Sequence, residues 1–138
     1  DVKILHDYMN EVLGRDGAHV DAFYYCPHHP EHGIGIYKKK CHCRKPETGM
    51  FEMAERDLTE GIDKMHSYMI GDKRIDAQAG KNFGVTGVLV GTGYGAKEHA
   101  EDMAAGLIKE DGSCPAGGYD AYADTLLDAV RGILGGRI

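Results

Sequence analysis

Three groups of residues have types and spacings that could do chemistry. The first is Cys26-x-His28 followed, after twelve residues, by Cys41-x-Cys43. Two short pairs joined by a loop supply the four soft-to-borderline donors of a tetrahedral zinc site. Because protein fills all four positions, no place is left for water, and such an ion would fix the loop at 26–43 rather than act on a substrate. His28 is preferred to His29, His32 and His42, since its C-x-H pair mirrors C-x-C and His42 lies between two candidate ligands. The alternative is three unrelated thiols or a disulfide. Cys114 stands apart and reads as a spare thiol.

The second group, Arg44-Lys45-Pro46, follows the last thiol at once, so a rigid metal knot would aim two cations from one loop. Arginine can hold phosphate oxygens with two parallel bonds, and lysine can neutralise charge on a phosphoryl group in transfer. The third group is Gly71-Asp72-Lys73-x-x-Asp76, with one carboxylate at the end of an apolar run and another four residues on. A strand-end carboxylate suits Mg²⁺, which keeps waters and shares phosphate oxygens instead of needing an all-protein cage. Alone, the same residues read equally well as a turn aspartate and a helix cap.

Positioning these groups requires particular elements. Val2, Leu5, Met9 and Val12-Leu13 keep helical spacing until Gly14, which predicts a helix over about residues 2 to 13. Ala22 to Tyr25 reads as a strand running into the first metal pair. Met50, Met53, Ala54, Leu58 and Ile62 share a helical face begun near Thr48, where the methionines act as core filler. Tyr68-Met69-Ile70 predicts a second strand, 75 to 83 a helix stopped by Gly84, and Val85 to Val90 a third strand. A last helical pattern runs from about Tyr119 to Leu134. Alternating β and α elements imply a parallel sheet, whose ligands bind at the carboxyl ends of the strands. On that edge the cations and Asp72 can converge.

Composition bounds the reading. The chain has 138 residues, the length of one domain, with 42% hydrophobic and 28% charged residues. Its twenty glycines gather at the ends of apolar runs, as turns require. A formal charge of −6 argues against nucleic acid as the main partner, and the apolar run around Val88 to Val90 is too short to span a membrane. No charged-then-apolar leader opens the chain, which favours a cytoplasmic location. Lys38, Lys39 and Lys40 fit a solvated loop as well as a functional one, and receive no role.

Taken together, Tyr24-Tyr25-Cys26-Pro27-His28-His29-Pro30, Cys41-x-Cys43-Arg44-Lys45-Pro46 with Gly49-Met50, and Tyr68-Met69-Ile70-Gly71-Asp72-Lys73 resemble the D-glycero-D-manno-heptose 1,7-bisphosphate phosphatases of the haloacid dehalogenase superfamily. The match covers most of residues 1 to 95 and fades in the C-terminal third. Histidinol phosphatases have a similar Cys-Arg-Lys-Pro block with a shorter zinc loop. The resemblance implies a Rossmann-like α/β sheet with helices on both faces and a zinc-binding loop. It assigns Zn²⁺ to Cys26, His28, Cys41 and Cys43 and Mg²⁺ to Asp72, with Asp76 in support. Lys45 would stabilise the phosphoryl group, while Arg44 and Lys73 would contact substrate. The implied reaction is hydrolysis of the C7 phosphate through an aspartyl-phosphate, serving lipopolysaccharide or surface-glycan synthesis.

The family pattern opens with a strand ending in Asp-x-Asp-Gly, and no Asp-x-Asp triplet occurs in these 138 residues. The expectation is therefore that residues 1–138 form the C-terminal part of one phosphatase domain, with roughly sixty family residues outside them. Such a chain would be silent alone, and would need the N-terminal segment or a swapped second copy to cover exposed strand edges. Two other classes compete. Gly91-x-Gly93-x-x-Ala96 with Asp111 outlines a dinucleotide fingerprint, and a zinc-stabilised interaction module would need no catalysis.

Overall fold

The computed structural model describes residues 2–26 and 41–138. Its centre is a three-stranded parallel sheet in the order β1 (Tyr68–Gly71), β2 (Thr86–Val90), β3 (Ala121–Ala123). Helix α3 (Arg74–Phe83) joins β1 to β2, and α4 (Gly95–Ala104) with a long loop joins β2 to β3. After β3 comes α5 (Leu126–Leu134); α1 (Val2–Gly14) and α2 (Gly49–Asp57) precede the sheet.

The middle strand decides the layering. Thr86 apart, β2 is buried along its whole length, as a parallel strand covered on both faces must be. Leu89 points into a cluster with Ala77 of α3, Cys114 and Tyr119. Val88 and Val90 point the other way, against Ala129 of α5 and flanking Ile70 and Ala121. Helices therefore cover both faces, as expected. Cys114, the thiol set apart in the sequence, is fully buried core and accepts a hydrogen bond from the Gly117 N–H.

Most boundaries follow the sequence pattern, and three do not. The helix begun near Thr48, whose apolar face is expected to reach Ile62 and close around Gly61, ends at Asp57, where Leu58 turns to extended backbone. Residues 22–26 join no sheet, because among the described residues no strand pairs with them. The helix predicted from Tyr119 begins only at Leu126. Tyr119 instead bridges Cys114, Asp120 accepts from the Gly87 N–H at 2.9 Å, and Ala121–Ala123 pair with β2. The break falls at Thr125, whose hydroxyl oxygen accepts from the Asp128 N–H and so caps α5.

The N-terminal region is held differently. No residue of α1 is buried. Its ties are local: Asn10 exchanges two hydrogen bonds with the Val20 backbone, and His6 stacks on Phe23 with ring centres 4.1 Å apart. Among the described residues, no helix is long and apolar enough to cross a membrane.

Candidate active site

Asp72 and Lys73 lie where β1 ends and α3 begins, at the carboxyl edge of the sheet. The turn is tight because Gly71 has no side chain: a Cβ there would collide with Asp76. Asp76, nearly buried, turns back to accept the Lys73 N–H at 3.1 Å, so it is a helix cap. It also forms an ion pair with Lys45. The helix-cap reading of this aspartate is what the geometry shows, and its ion pair fixes the lysine that arrives from the other loop.

The next loop closes over Asp72. Gly93 sits at φ +60, a backbone region that favours glycine, and a Cβ there would strike the Asp72 carboxylate. Tyr94 then donates its N–H to Asp72 Oδ2 at 3.3 Å, while the Lys73 ammonium lies 4.5 Å from the Tyr94 ring centre. The glycine pattern that outlines a dinucleotide fingerprint therefore serves to grip a carboxylate. Asp111, the acidic residue of that outline, is instead a turn residue that accepts from the Ser113 N–H and hydroxyl.

Residues 41–49 form successive turns in which Arg44 N–H donates to Cys41 O, Glu47 N–H to Arg44 O and Gly49 N–H to His42 O. Asn82 of α3 donates to Pro46 O at 3.0 Å and ties this knuckle to the sheet. The result is a cleft of about 400 Å³ lined by Cys26, Arg44, Lys45, Asp72, Lys73 and Asp76, together with Tyr24 and Met50. Three cations and two carboxylates thus share one wall, which suits a phosphate and a divalent ion together. A larger cavity of about 470 Å³ beside α4 is mainly apolar and shows no such convergence of charge.

Three of the four thiols also meet. Cys26 and Cys43 sulfurs lie 2.7 Å apart, Cys41 and Cys43 2.7 Å, and Cys26 and Cys41 3.1 Å, with no disulfide among them. Burial, reinforced by the neighbouring Cys26 and Cys41 sulfurs, pushes the Cys43 thiol up to about 12. Ionising such a cluster without a cation would crowd like charges, so its donor chemistry fits a soft dication such as Zn²⁺. His28, the fourth expected ligand, and the lysines at 38–40 lie outside the described residues. His42 turns away to Glu52 at 2.5 Å and Glu47 at 3.3 Å, and the Glu52 hydrogen bond holds its pKa above the usual range. A single carboxylate at Asp72 fits Mg²⁺ only with waters and phosphate oxygens completing the shell.

The sequence reading does not single out Tyr94 or Arg74, and it takes Gly93 only as part of a dinucleotide outline. The Gly-x-Gly after β2 is the one signal near Tyr94, and that pattern fits an ordinary turn as well; Arg74 has none.

Comparison with known proteins bears on this geometry. A family model described as HAD-hydrolase-like matches residues 42–114, just over half of the chain. The chain belongs to the HAD-hydrolase-like family. It is 46% identical over 105 residues to the D-glycero-beta-D-manno-heptose-1,7-bisphosphate 7-phosphatase of Vibrio cholerae, covering 75% of this chain and 55% of that protein. It is 36% identical over 140 residues to the D-glycero-D-manno-heptose-1,7-bisphosphate 7-phosphatase of Chlorobaculum tepidum, covering 99% and 64% respectively. The chain thus spans between about half and two thirds of the length of these relatives. Among solved structures, the D,D-heptose 1,7-bisphosphate phosphatase of B. bronchiseptica, complexed with magnesium and phosphate, superposes with a TM-score of 0.70. That match is 30% identical in sequence and covers 98% of this chain and 64% of that one. The α/β fold expected from the sequence is thereby that of the HAD-hydrolase-like family.

Proposed function

We propose that the protein containing this chain is a Mg²⁺-dependent phosphatase that removes the C7 phosphate of D-glycero-D-manno-heptose 1,7-bisphosphate. The observation that carries the reading is the convergence of Arg44, Lys45 and Lys73 with Asp72 on one cleft beside a thiol cluster. Arg44 and Lys73 bind phosphate oxygens, Lys45 stabilises charge on the phosphoryl group in transfer, and Asp72 helps hold Mg²⁺. Asp76 keeps Lys45 in place by its ion pair. Bound Mg²⁺ supplies neutralisation of the phosphate charge. Cys26, Cys41 and Cys43, with His28, hold a structural Zn²⁺ that aims the Arg44-Lys45 loop, and a reducing cytoplasm suits such a thiol set.

The reaction needs a carboxylate that attacks phosphorus while the bond to the sugar oxygen breaks, followed by water attack on the resulting acyl phosphate. No Asp-x-Asp triplet in the sequence provides it. Residues 1–138 are thus read as the C-terminal part of one phosphatase domain, with the nucleophile on a partner segment. A trough of about 250 Å³ lined by Tyr24, Met50, Phe51, Ala54 and Met69 supports that reading. Met69 of β1 lines it; among the described residues β1 has a neighbour on one side only, and a strand added there would end at the cleft.

Phosphate release from the heptose bisphosphate is the test. The 138-residue chain should release none, and the chain joined to an Asp-x-Asp-bearing strand segment should release it in a Mg²⁺-dependent way that Asp72→Ala abolishes. Turnover by the purified chain alone, or full activity in Asp72→Ala, overturns the assignment.

A further inference from the structure

Arg74 occupies the first turn of α3, where a cation opposes the helix dipole. Its side chain is nonetheless held by several acceptors at once. Nε and Nη2 donate to Asp102 Oδ2 and Oδ1, both at 3.0 Å, Nη2 also donates to the Glu98 carbonyl at 2.8 Å, and Glu98 and Glu101 carboxylates lie 3.1 and 3.0 Å away. Its backbone N–H donates to Glu98 Oε2 at 3.2 Å. Asp102 is buried and accepts a third bond from the Tyr119 hydroxyl at 3.0 Å, and Tyr119 is fully buried. Burial opposes the charge on Asp102, yet the bonds from Arg74 and Tyr119 hold its carboxyl below the usual range.

This cluster lies outside the cleft, and its position relative to the cleft is what matters. Helix α4 grips the start of α3 at two places. Tyr94, the residue just before it, holds Asp72, and Glu98 and Asp102, one and two turns later, hold Arg74. Lys73 lies between these two grips, with its ammonium against the Tyr94 ring. The geometry points to Arg74 as a positioning residue: its two-pronged bond to buried Asp102 locks the start of α3 onto α4 and thereby sets Lys73 and Asp72 opposite Arg44 and Lys45 for phosphate. The inference rests on the phosphate-cleft reading above and adds the part of the molecule that holds the cleft in register.

Charge and position make opposite predictions here, which allows a clean test. Removing a negative charge by Asp102→Asn should tighten phosphate binding if only the field matters. If the clamp matters, the same change loosens it. The measurement is a titration of the 138-residue chain with inorganic phosphate, followed by NMR shifts of the amides at 44–45 and 72–76. Protected β2 amides and a cooperative melt show that each variant is folded. Folded Asp102→Asn should have a phosphate dissociation constant raised roughly threefold to tenfold. Arg74→Lys, which keeps the charge and loses the planar fork, should fall the same way. An unchanged or lowered constant in Asp102→Asn overturns the clamp. Should that variant not fold, Arg74→Lys and the milder Tyr119→Phe decide, and parental affinity in both overturns it equally. Lys45→Ala and Lys73→Ala separate the two levels. If neither weakens phosphate binding, or the parent chain binds none, the cleft reading fails and the clamp with it. If both weaken binding and the clamp variants do not, only the clamp fails.

Discussion

Residues 2–26 and 41–58 on one side and residues 68–138 on the other both line the candidate site but are stabilised in different ways. Every hydrophobic residue buried in the described structure lies between Ala77 and Ala129. Before β1 the chain supplies the thiols, Arg44 and Lys45, yet α1 leaves Val2, Ile4, Leu5, Tyr8, Met9, Val12 and Leu13 exposed. The C-terminal region is therefore a core that happens to end in a carboxylate and a lysine. Among its described residues the N-terminal region is a set of candidate ligands and cations with no buried hydrophobic residue. A cleft shared between the two depends on whatever holds the second region to the first, and the ties include the Lys45–Asp76 pair, the Asn82–Pro46 bond and the Phe51–Phe83 ring stack.

Metal removal is the severest way to break this contrast. Structural zinc sites contribute on the order of 10 kcal/mol to the folding of the segment they organise. Chelation, or Cys41→Ser, is expected to abolish hydrogen-exchange protection at 41–58 while amides of Thr86–Val90 keep theirs. Simultaneous loss in both regions would show a single cooperative unit and end the distinction. Next in size is a pair of leucine truncations. Leu89 is fully buried, so Leu89→Ala should cost about 3 kcal/mol in a urea melt, whereas exposed Leu5→Ala should change stability by about 0.5 kcal/mol or less. Comparable losses at the two positions would place α1 in the core after all. A smaller effect comes from the α5 cap: Thr125→Ala removes the acceptor of the Asp128 N–H and should cost about 1 kcal/mol.

The same contrast explains what the sequence made legible. The strands at Tyr68 and Thr86 and the helix between them were readable because packing on both faces demands continuous apolar runs and a glycine stop at Gly84. The site residues Arg44, Lys45, Asp72 and Lys73 were readable because their chemistry is local to short motifs. The strand expected at 22–25 failed for a nonlocal reason: its residue types suit a strand, but pairing needs a neighbour that the described chain does not place there. The helix expected from Tyr119 failed because Asp120 and Ala121–Ala123 are committed to β2. The Arg74 network was invisible because its partners are 24 to 28 residues away in sequence, and nothing in the spacing of Glu98 and Asp102 distinguishes them from a solvated helix face.

The smallest expected effect is one of pH, and it confines the contrast to a single side chain. His99 stacks on Tyr122 with ring centres 3.7 Å apart, and the Tyr119 hydroxyl lies 2.9 Å from its Nδ1. That hydroxyl already donates to Asp102, so Nδ1 carries the proton that it accepts, and Nε2 is the atom left to titrate. Burial lowers the His99 pKa below its ordinary 6.5, against the attraction of Asp102 and Asp124. Between the lowered native value and 6.5 the unfolded chain binds more protons than the folded one. Stability from this group is thus complete above about pH 6.5 and is lost as pH falls through that window. A series of urea midpoints from pH 7.5 to 5 should decline on the acid side, and His99→Gln, which keeps a polar side chain without a titrating nitrogen, should flatten that part of the slope. The loss should appear in amides of β2 and β3, which His99 reaches through Tyr119 and Tyr122, and leave the thiol loop unchanged. An acid slope of full size in His99→Gln would overturn the assignment of the acid loss to this side chain.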